Sequence, residues 1–368
     1  MWTCVWKGGR PLIKFVTVDR LRPGVTLAKD VYGIDTFTGH IIMLKAGQLL
    51  SMAHITKLMG LDLQGVYIND HTSAAPIIPE EERTEIYKLI DDLQASADPA
   101  YFSLYKEKIE EANAALLDFV DIVLRRDDLQ LSLDSLDFND NDKSTHALSI
   151  AILSIVIAKE LGLSKPDILR LTCAAIIHDL GDTRLPKGLL EKPAKLTDEE
   201  FEIVKTHAKL GYDILQGEEY EAIDDSVKEA VLSHHERFDG SGYPRSLSSD
   251  EIPLFARIMA VADVYSALTS ERPYRTAYSA AEAIEYIMGN SDRQFDSNVV
   301  AAFLKVISPY PIGSCVKLSS GENAVVSKQN PENPLRPVVF LIDDPTAIID
   351  LYHDKCFYNV VITDLMDN

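Results

Sequence analysis

The stretch KSTHALSIAILSIVIAKEL, residues 143–161, decides the fold of the central part of the chain. Its apolar residues recur at three- and four-residue spacing, which is the period of an α-helix. His146 lies on the same stripe as Ile150, Leu153 and Ile157. The pattern therefore predicts a long helix that turns one apolar side, with a histidine on it, toward neighbouring helices.

The helical pattern continues on both sides of this stretch, from Glu80 to about Val306. Pro166 suits the first turn of a following helix that ends near Gly181. Thr197 and Glu200 have the T-x-x-E spacing of a capping box, which predicts the start of a helix. Further helices are predicted over residues 85–93, 101–125, 197–207, 226–234, 254–268 and 280–288.

Different patterns precede and follow the helical region. Short β-type runs and a helix capped by Ser51 predict a small mixed α/β domain, and short β-type runs after Gly313 predict a β-rich extension. The predicted strands cover residues 14–18, 40–44, 65–68, 315–318, 324–327 and 338–342. We therefore predict a mainly α protein of four parts: an N-terminal regulatory or dimerisation domain (1–70), a linker with connecting helices (71–139), the main helical domain (140–306) and a C-terminal extension (307–368).

Composition excludes several classes of function. The net charge is −21, whereas proteins that bind duplex nucleic acid carry a basic face. There is no uncharged apolar run of about 18 residues, so no membrane span is expected. The four cysteines lack CxxC spacing, which argues against a disulfide framework or a cysteine zinc site and for a reducing cytoplasm.

Histidines and aspartates are the residues that indicate chemistry. Asp179 follows a histidine at a predicted helix end, and Asp263 lies in an apolar helix, where a carboxylate is costly unless paired or coordinated. A single histidine is more often a satisfied or exposed side chain, but imidazoles and carboxylates gathered from successive helices favour a metal site. Two ions in such a site can generate hydroxide and clamp a phosphate. Five of the nine histidines lie in the helical region: His146, His178, His207, His234 and His235.

Several motifs in this region resemble those of a known family. His178-Asp-Leu-Gly181 resembles the HD motif of metal-dependent phosphohydrolases. HHERFDGSGYP, residues 234–244, resembles the signature of the HD-GYP proteins. ADVYSALTSERPYR, residues 262–275, and Phe295-Asp296 resemble further parts of that domain. The order and spacing are similar to those of the family over residues 140–306.

The resemblance implies a bacterial phosphodiesterase that hydrolyses cyclic di-GMP to linear pGpG and then to GMP. It implies a helical bundle with two divalent ions, most often iron or manganese, a bridging hydroxide, and His178 and Asp179 as catalytic residues, with Asp179 bridging the ions. Asp142 stands where some members have a Glu that binds a third ion; the alternative for Asp142 is a solvated helix-start residue. The implied metal ligands are His146, His178, Asp179, His207, His234, His235 and Asp263.

The resemblance also assigns substrate contacts. Gly242 allows a tight turn, and Tyr243 would stack on a base or donate to phosphate, the alternative being a structural turn with a packed tyrosine. Arg272 and Arg275 would face the dinucleotide, the alternative being a solvated surface pair. The implied partner is a cyclic dinucleotide. A homodimer and signalling proteins are further candidate partners through the N-terminal domain, whose alternative role is only to complete the packing.

Two positions depart from the family pattern. Asp182 stands where the HD motif commonly continues to a lysine, and Ser266 stands where an aspartate is common. Either the two usual residues form a pair that is lost together here, or metal occupancy and substrate choice have changed. We expect an active enzyme, and keep three alternatives: a receptor that binds without turnover, a phosphodiesterase specific for cyclic GMP-AMP, and a phosphohydrolase acting on ordinary nucleotides.

Overall fold

The protein is described here by a computed structural model, which divides into two compact units. Among the described residues, one unit combines those up to residue 70 with those from 307 onward, and the other contains those from 78 to 306. The four-part division by sequence stays a prediction. The structure describes residues 12–17, 21, 23–29, 31–35, 39–45, 47–60, 65–70, 78, 80–95, 108–125, 143–190, 192, 195–270, 276–312, 314–342, 344 and 347–366.

The first unit is built from antiparallel strands. A three-stranded sheet has the order β1-β5-β2, β3 pairs with β4, and a five-stranded sheet has the order β10-β6-β7-β8-β9. The six predicted strands are present, while β2, β3, β9 and β10 were not predicted. The elements are β1 (Leu12–Thr17), β2 (Thr26–Leu27), β3 (Val31–Asp35), β4 (Gly39–Leu44), α1 (Met52–Met59), β5 (Gly65–Asp70), β6 (Cys315–Leu318), β7 (Asn323–Lys328), β8 (Val338–Leu341), β9 (Ile348–Asp350) and β10 (Ile362–Leu365).

The second unit is helical, as predicted, and most of the chain's described structure is in helices. Among the described residues, no helix is both long and apolar enough to cross a membrane. The helices are α2 (Glu80–Ala95), α3 (Lys108–Leu124), α4 (Lys143–Glu160), α5 (Lys165–Ile177), α6 (Asp198–Lys205), α7 (His207–Leu215), α8 (Asp225–Ser233), α9 (Leu254–Thr269), α10 (Ala280–Gly289) and α11 (Ser297–Val306).

Helix α4 is the centre of the helical unit. It packs against α2, α3, α5, α9 and α11. Because neighbours surround it, every side chain from Ser144 to Ala158 is buried except that of His146. The predicted helix is therefore confirmed, but the expectation of a single buried side was wrong. Between Ser144 and Ala158, the one position that is not buried is a predicted metal ligand.

Two predicted helices end earlier than expected. The capping box of Thr197 and Glu200 is present, but α6 stops at Lys205 and α7 begins at His207. The Thr206 hydroxyl donates to the carbonyl oxygen of Ile203, which draws that acceptor away from the α-helical pattern. Similarly, α5 ends at Ile177 rather than near Gly181, and a 3₁₀ turn (Leu180–Arg184) follows. Both early endings place a histidine at a helix boundary.

Candidate metal centre

Three histidines at helix boundaries are oriented by the same hydrogen bond. The Nδ1 atom of each donates to the backbone carbonyl three residues earlier: His178 to Ala175 at 2.8 Å, and His207 to Val204 and His234 to Val231 at 2.7 Å. A carbonyl can only accept, so Nδ1 carries the proton. In the neutral ring, Nε2 then offers its lone pair, which is the arrangement that metal-binding histidines use.

Four side chains form a first group of ligand atoms. These atoms, from Asp179, His207, His234 and His235, all lie within 4.8 Å of one another. The Oδ1 atom of Asp179 is 3.5 Å from Nε2 of His207 and 3.9 Å from Nε2 of His234. The group combines one carboxylate with three imidazoles from α7 and from the end of α8.

A second group adjoins the first and contains His146, His178 and Asp263. Nε2 of His146 lies 3.2 Å from Oδ1 of Asp263, which links α4 to α9. Nε2 of His178 lies 3.1 Å from Oδ2 of Asp179. Asp179 therefore turns one oxygen toward each group, as a bridging carboxylate would.

Close backbone packing holds the two groups together. Asp179 is followed by the 3₁₀ turn, which packs against α7. A Cβ atom on Gly181 would lie only 1.9 Å from the carbonyl oxygen of His207, so no larger residue fits there without a shift. The spacing between Asp179 and His207 is therefore set by backbone contact as well as by their side chains.

The charge states of Asp179, His234 and His235 match those of metal ligands, whereas His178 must lose a proton to bind an ion. Burial acts to raise the pKa of Asp179, but His178, His207 and His234 hold it well below its usual range. Burial lowers the pKa of His234, and it lowers that of His235 to about 4, so both rings are neutral. Burial opposes charge on His178 as well, but the Asp179 carboxylate raises its pKa to about 9.

The donor set fits divalent metal ions. Neutral imidazole nitrogens and ionised carboxylates are the forms that bind metal, and this combination suits iron, manganese or zinc. Partly burying two carboxylates, Asp179 and Asp263, among five helices is costly unless a positive charge compensates them. All seven predicted ligands fall into the two groups, and their role as ligands stays a prediction.

Ser266 supports the second group. Its buried hydroxyl lies 2.9 Å from Nδ1 of His146, so that ring is oriented by a side chain rather than by a carbonyl. In the motif that residues 262–275 resemble, an aspartate is common at the position of Ser266. Here a neutral hydroxyl replaces a charged acceptor next to a predicted metal ligand.

Asp182 has a different partner from Ser266. Its carboxylate lies 3.0 Å from the ammonium of Lys143, at the start of α4. Burial and the nearby Asp179 raise the pKa of Asp182, while Lys143 opposes the rise. In this chain, positions 182 and 266 therefore do not pair with each other, and each has found a separate partner.

The signature loop is held by a buried glutamate. Glu236 accepts backbone hydrogen bonds from Arg245 at 2.7 Å and from Leu247 at 3.0 Å. A Cβ atom on Gly242 would lie 2.3 Å from the backbone nitrogen of Arg237, so the loop closes tightly on itself. Its Tyr243 ring is 4.9 Å from the ring of His235, beside the first group rather than within a separate core.

Some predicted residues cannot be placed, and some contributors were missed. Asp142, Arg272 and Arg275 lie outside the described residues. Lys143 was missed because a lysine at a helix start is ordinarily solvated, and only the folded chain brings it to Asp182. Glu236 lies inside the signature, and its acidity within a glycine-rich loop was the available signal.

A comparison with protein families places these residues in context. A family model described as HD domain matches residues 132–299, a range that contains both ligand groups and the signature loop. The curated relatives of the chain include proteins named as cyclic di-GMP phosphodiesterases. The chain therefore contains a region that matches the HD domain. The described residues of this region all belong to the helical unit.

Three curated relatives illustrate the range of similarity. The chain is 37% identical over 236 residues to cyclic di-GMP phosphodiesterase PA4108 of Pseudomonas aeruginosa, covering 62% of this chain and 56% of that protein. It is 35% identical over 230 residues to the cyclic di-GMP phosphodiesterase response regulator RpfG of Xanthomonas campestris, covering 62% and 60%. It is 34% identical over 167 residues to 3'3'-cGAMP-specific phosphodiesterase 3 of Vibrio cholerae, covering 45% and 35%. The chain thus spans less than two thirds of each relative.

Proposed function

We propose that this chain is a metal-dependent phosphodiesterase that hydrolyses cyclic di-GMP to linear pGpG and then to GMP. The observation that carries the proposal is the gathering of five histidines and two aspartates into two adjoining groups that share Asp179. The names of the relatives from Pseudomonas and Xanthomonas support the choice of substrate.

Each of the two groups would hold one metal ion, and iron and manganese are the ions we propose first. Bound there, the ions would activate water as a nucleophile and neutralise charge on the phosphate. Asp179, whose two oxygens face the two groups, would help to hold both ions, and His178 would bind beside it. His146 and Asp263 complete the second group, and the remaining three histidines complete the first.

The surrounding residues prepare this site for a phosphodiester. The three Nδ1-to-carbonyl hydrogen bonds fix the ring orientations before any ligand arrives, so little ordering remains on binding. Tyr243, held by the closed signature loop, presents its ring next to His235. We assign Tyr243 and Gly242 to the substrate side of the site, together with Arg272 and Arg275. A cytoplasmic location, a homodimer and signalling partners remain predictions.

A second candidate substrate is cyclic GMP-AMP. It is favoured by the relative from Vibrio cholerae whose name specifies that dinucleotide. A receptor without turnover is the third candidate, and the acidic Asp182 at a position where a lysine is common favours it. The three candidates differ in product formation and in substrate preference.

The proposal is tested by turnover of purified protein loaded separately with manganese and with iron. Linear product from cyclic di-GMP, formed faster than from cyclic GMP-AMP, is the expected result. Asp179→Ala should lose both bound metal and product formation. The matched control is Asp213→Ala, which removes an exposed carboxylate paired with Lys209 on α7. Tight binding of either dinucleotide without any linear product would overturn the proposed activity and support the receptor.

A further inference from the structure

Helix α6 exposes apolar side chains immediately before a predicted metal ligand. None of its side chains is buried, and those of Phe201 and Ile203 are 47% and 43% exposed. Its last residue, Lys205, lies two positions before His207. A large aromatic ring is therefore about half exposed at a position close in sequence to the candidate metal centre.

Phe201 belongs to a continuous row of side chains that leads to the first ligand group. Lys205 lies four residues after it, on the same face of α6. The Lys205 ammonium is 5.0 Å from the centre of the Phe201 ring and 5.8 Å from the centre of the Tyr243 ring. Tyr243 in turn lies 4.9 Å from the ring of His235. The row runs from the surface through a cation and a second aromatic ring to a ligand.

This row is fixed relative to the metal centre. The capping box of Thr197 and Glu200 holds the start of α6, and Lys192 adds an ion pair to Glu200 at 2.6 Å. At the other end, Nδ1 of His207 donates to the carbonyl oxygen of Val204, within α6 itself. Phe201 therefore keeps its place with respect to the ligand group.

We propose that Phe201 and Lys205 form a binding site for a purine base of the substrate. The inference rests on the function proposed above and extends it to the nucleotide that points away from the scissile phosphate. An exposed aromatic ring stacks on a nucleobase through its π-face, whichever base is present. The Lys205 ammonium has three donors, and one is taken by Glu202 at 2.6 Å. The others are available to the acceptors O6 and N7 of guanine.

The two residues carry separable roles. Stacking on Phe201 contributes affinity for either purine, because every base offers a π-face. Contact with Lys205 favours guanine, since adenine presents a donor where guanine presents O6. Ile203 is comparably exposed on the same helix but is not part of the row, and it lacks a ring. It therefore provides a matched control for the loss of an exposed apolar side chain.

The test separates binding from turnover. Equilibrium binding of cyclic di-GMP is measured calorimetrically on the full chain in the presence of a metal chelator, where no hydrolysis takes place, and KM is measured on the manganese-loaded protein. We expect Phe201→Ala to weaken binding about 5- to 100-fold and to raise KM by a similar factor with little change in kcat. Phe201→Trp should retain affinity, Phe201→Leu should not, and Ile203→Ala should equal the wild type.

The outcomes distinguish this inference from the proposed activity. If the wild type binds cyclic di-GMP but forms no product, the proposed phosphodiesterase activity is refuted. The affinities of the Phe201 variants for cyclic di-GMP would still test the base site. Equal affinity of wild type and Phe201→Ala would overturn the base site even if turnover is present. The base site would also be overturned if the wild type showed neither calorimetric binding of cyclic di-GMP nor saturable turnover of it. Denaturant unfolding of each variant confirms that the compared proteins are folded.

Discussion

The ammonium of Lys143 lies 3.0 Å from the carboxylate of Asp182, across the junction between the start of α4 and the turn that follows Asp179. The lysine side chain is 55% exposed and that of the aspartate 11% exposed. The cation therefore reaches the edge of the candidate metal centre from a different helix, although position 182 itself is acidic.

A charge exchange tests this pair. Asp182→Lys alone should destabilise the fold, because it brings two ammonium groups together. The double variant Lys143→Asp with Asp182→Lys should recover about 1 kcal/mol of that loss, a value limited by the solvent exposure of the lysine. The free energy of unfolding in urea, measured for the two single variants and the double variant, gives the coupling. Simple additivity of the two single changes would show that the pair contributes nothing.

Ser266 should control metal affinity through His146. Ser266→Ala removes the hydroxyl that lies 2.9 Å from Nδ1 of His146, so the ring loses its orientation. Losses of this kind lower metal affinity about 10- to 100-fold. Competition with a coloured chelator measures that affinity. Ser149→Ala is the control, because it deletes a buried hydroxyl on α4 that donates to the carbonyl oxygen of Thr145. If both variants lose affinity equally, the contact to His146 has no special role.

Metal binding should release a proton from His178. In the metal-free protein its pKa is raised to about 9, so the ring is protonated near neutral pH. A bound ion requires the neutral ring, and affinity should therefore increase as the pH rises toward about 9 and level off above it. Calorimetric titration with manganese in buffers of different ionisation enthalpy counts the released protons. Heats that do not depend on the buffer would contradict the prediction.

Gly242→Ala should disturb the signature loop. The added Cβ atom would lie 2.3 Å from the backbone nitrogen of Arg237 and 2.5 Å from the Cα atom of Glu236, so backbone must move. We expect a loss of about 1–3 kcal/mol in stability and a higher KM, because Tyr243 is displaced with the loop. Thermal unfolding and steady-state kinetics measure both. Gly289→Ala is the control, since its Cβ atom would have no neighbour within 4 Å. Equal effects of the two changes would refute the packing argument.

Local patterns in the sequence predicted the helices and their caps at Ser51 and Thr197, and they drew attention to the histidines and aspartates of the helical region. These features depend on neighbours a few positions away, which a sequence displays directly. The meeting of His146 with Asp263 was implied only by the family resemblance, because no periodicity links α4 to α9.

Contacts between residues far apart in the chain could not be predicted from the sequence. Nothing near Lys143 indicates Asp182, and nothing near Ser266 indicates His146. The break at Thr206 depends on a hydroxyl that could equally have faced solvent. The burial of α4 on all sides depends on how many helices surround it, whereas its sequence only shows that it is apolar. Each of these features arises when distant segments come together.

The seven candidate ligands are spread over five helices and their ends, from His146 to Asp263. A metal ion held by residues so far apart in sequence closes long loops of chain, as a cross-link does, and it binds the unfolded chain poorly. Bound ions would thus stabilise the folded helical unit in addition to taking part in the reaction. The two adjoining groups would make the resistance of this protein to heat depend on the supply of metal in its surroundings.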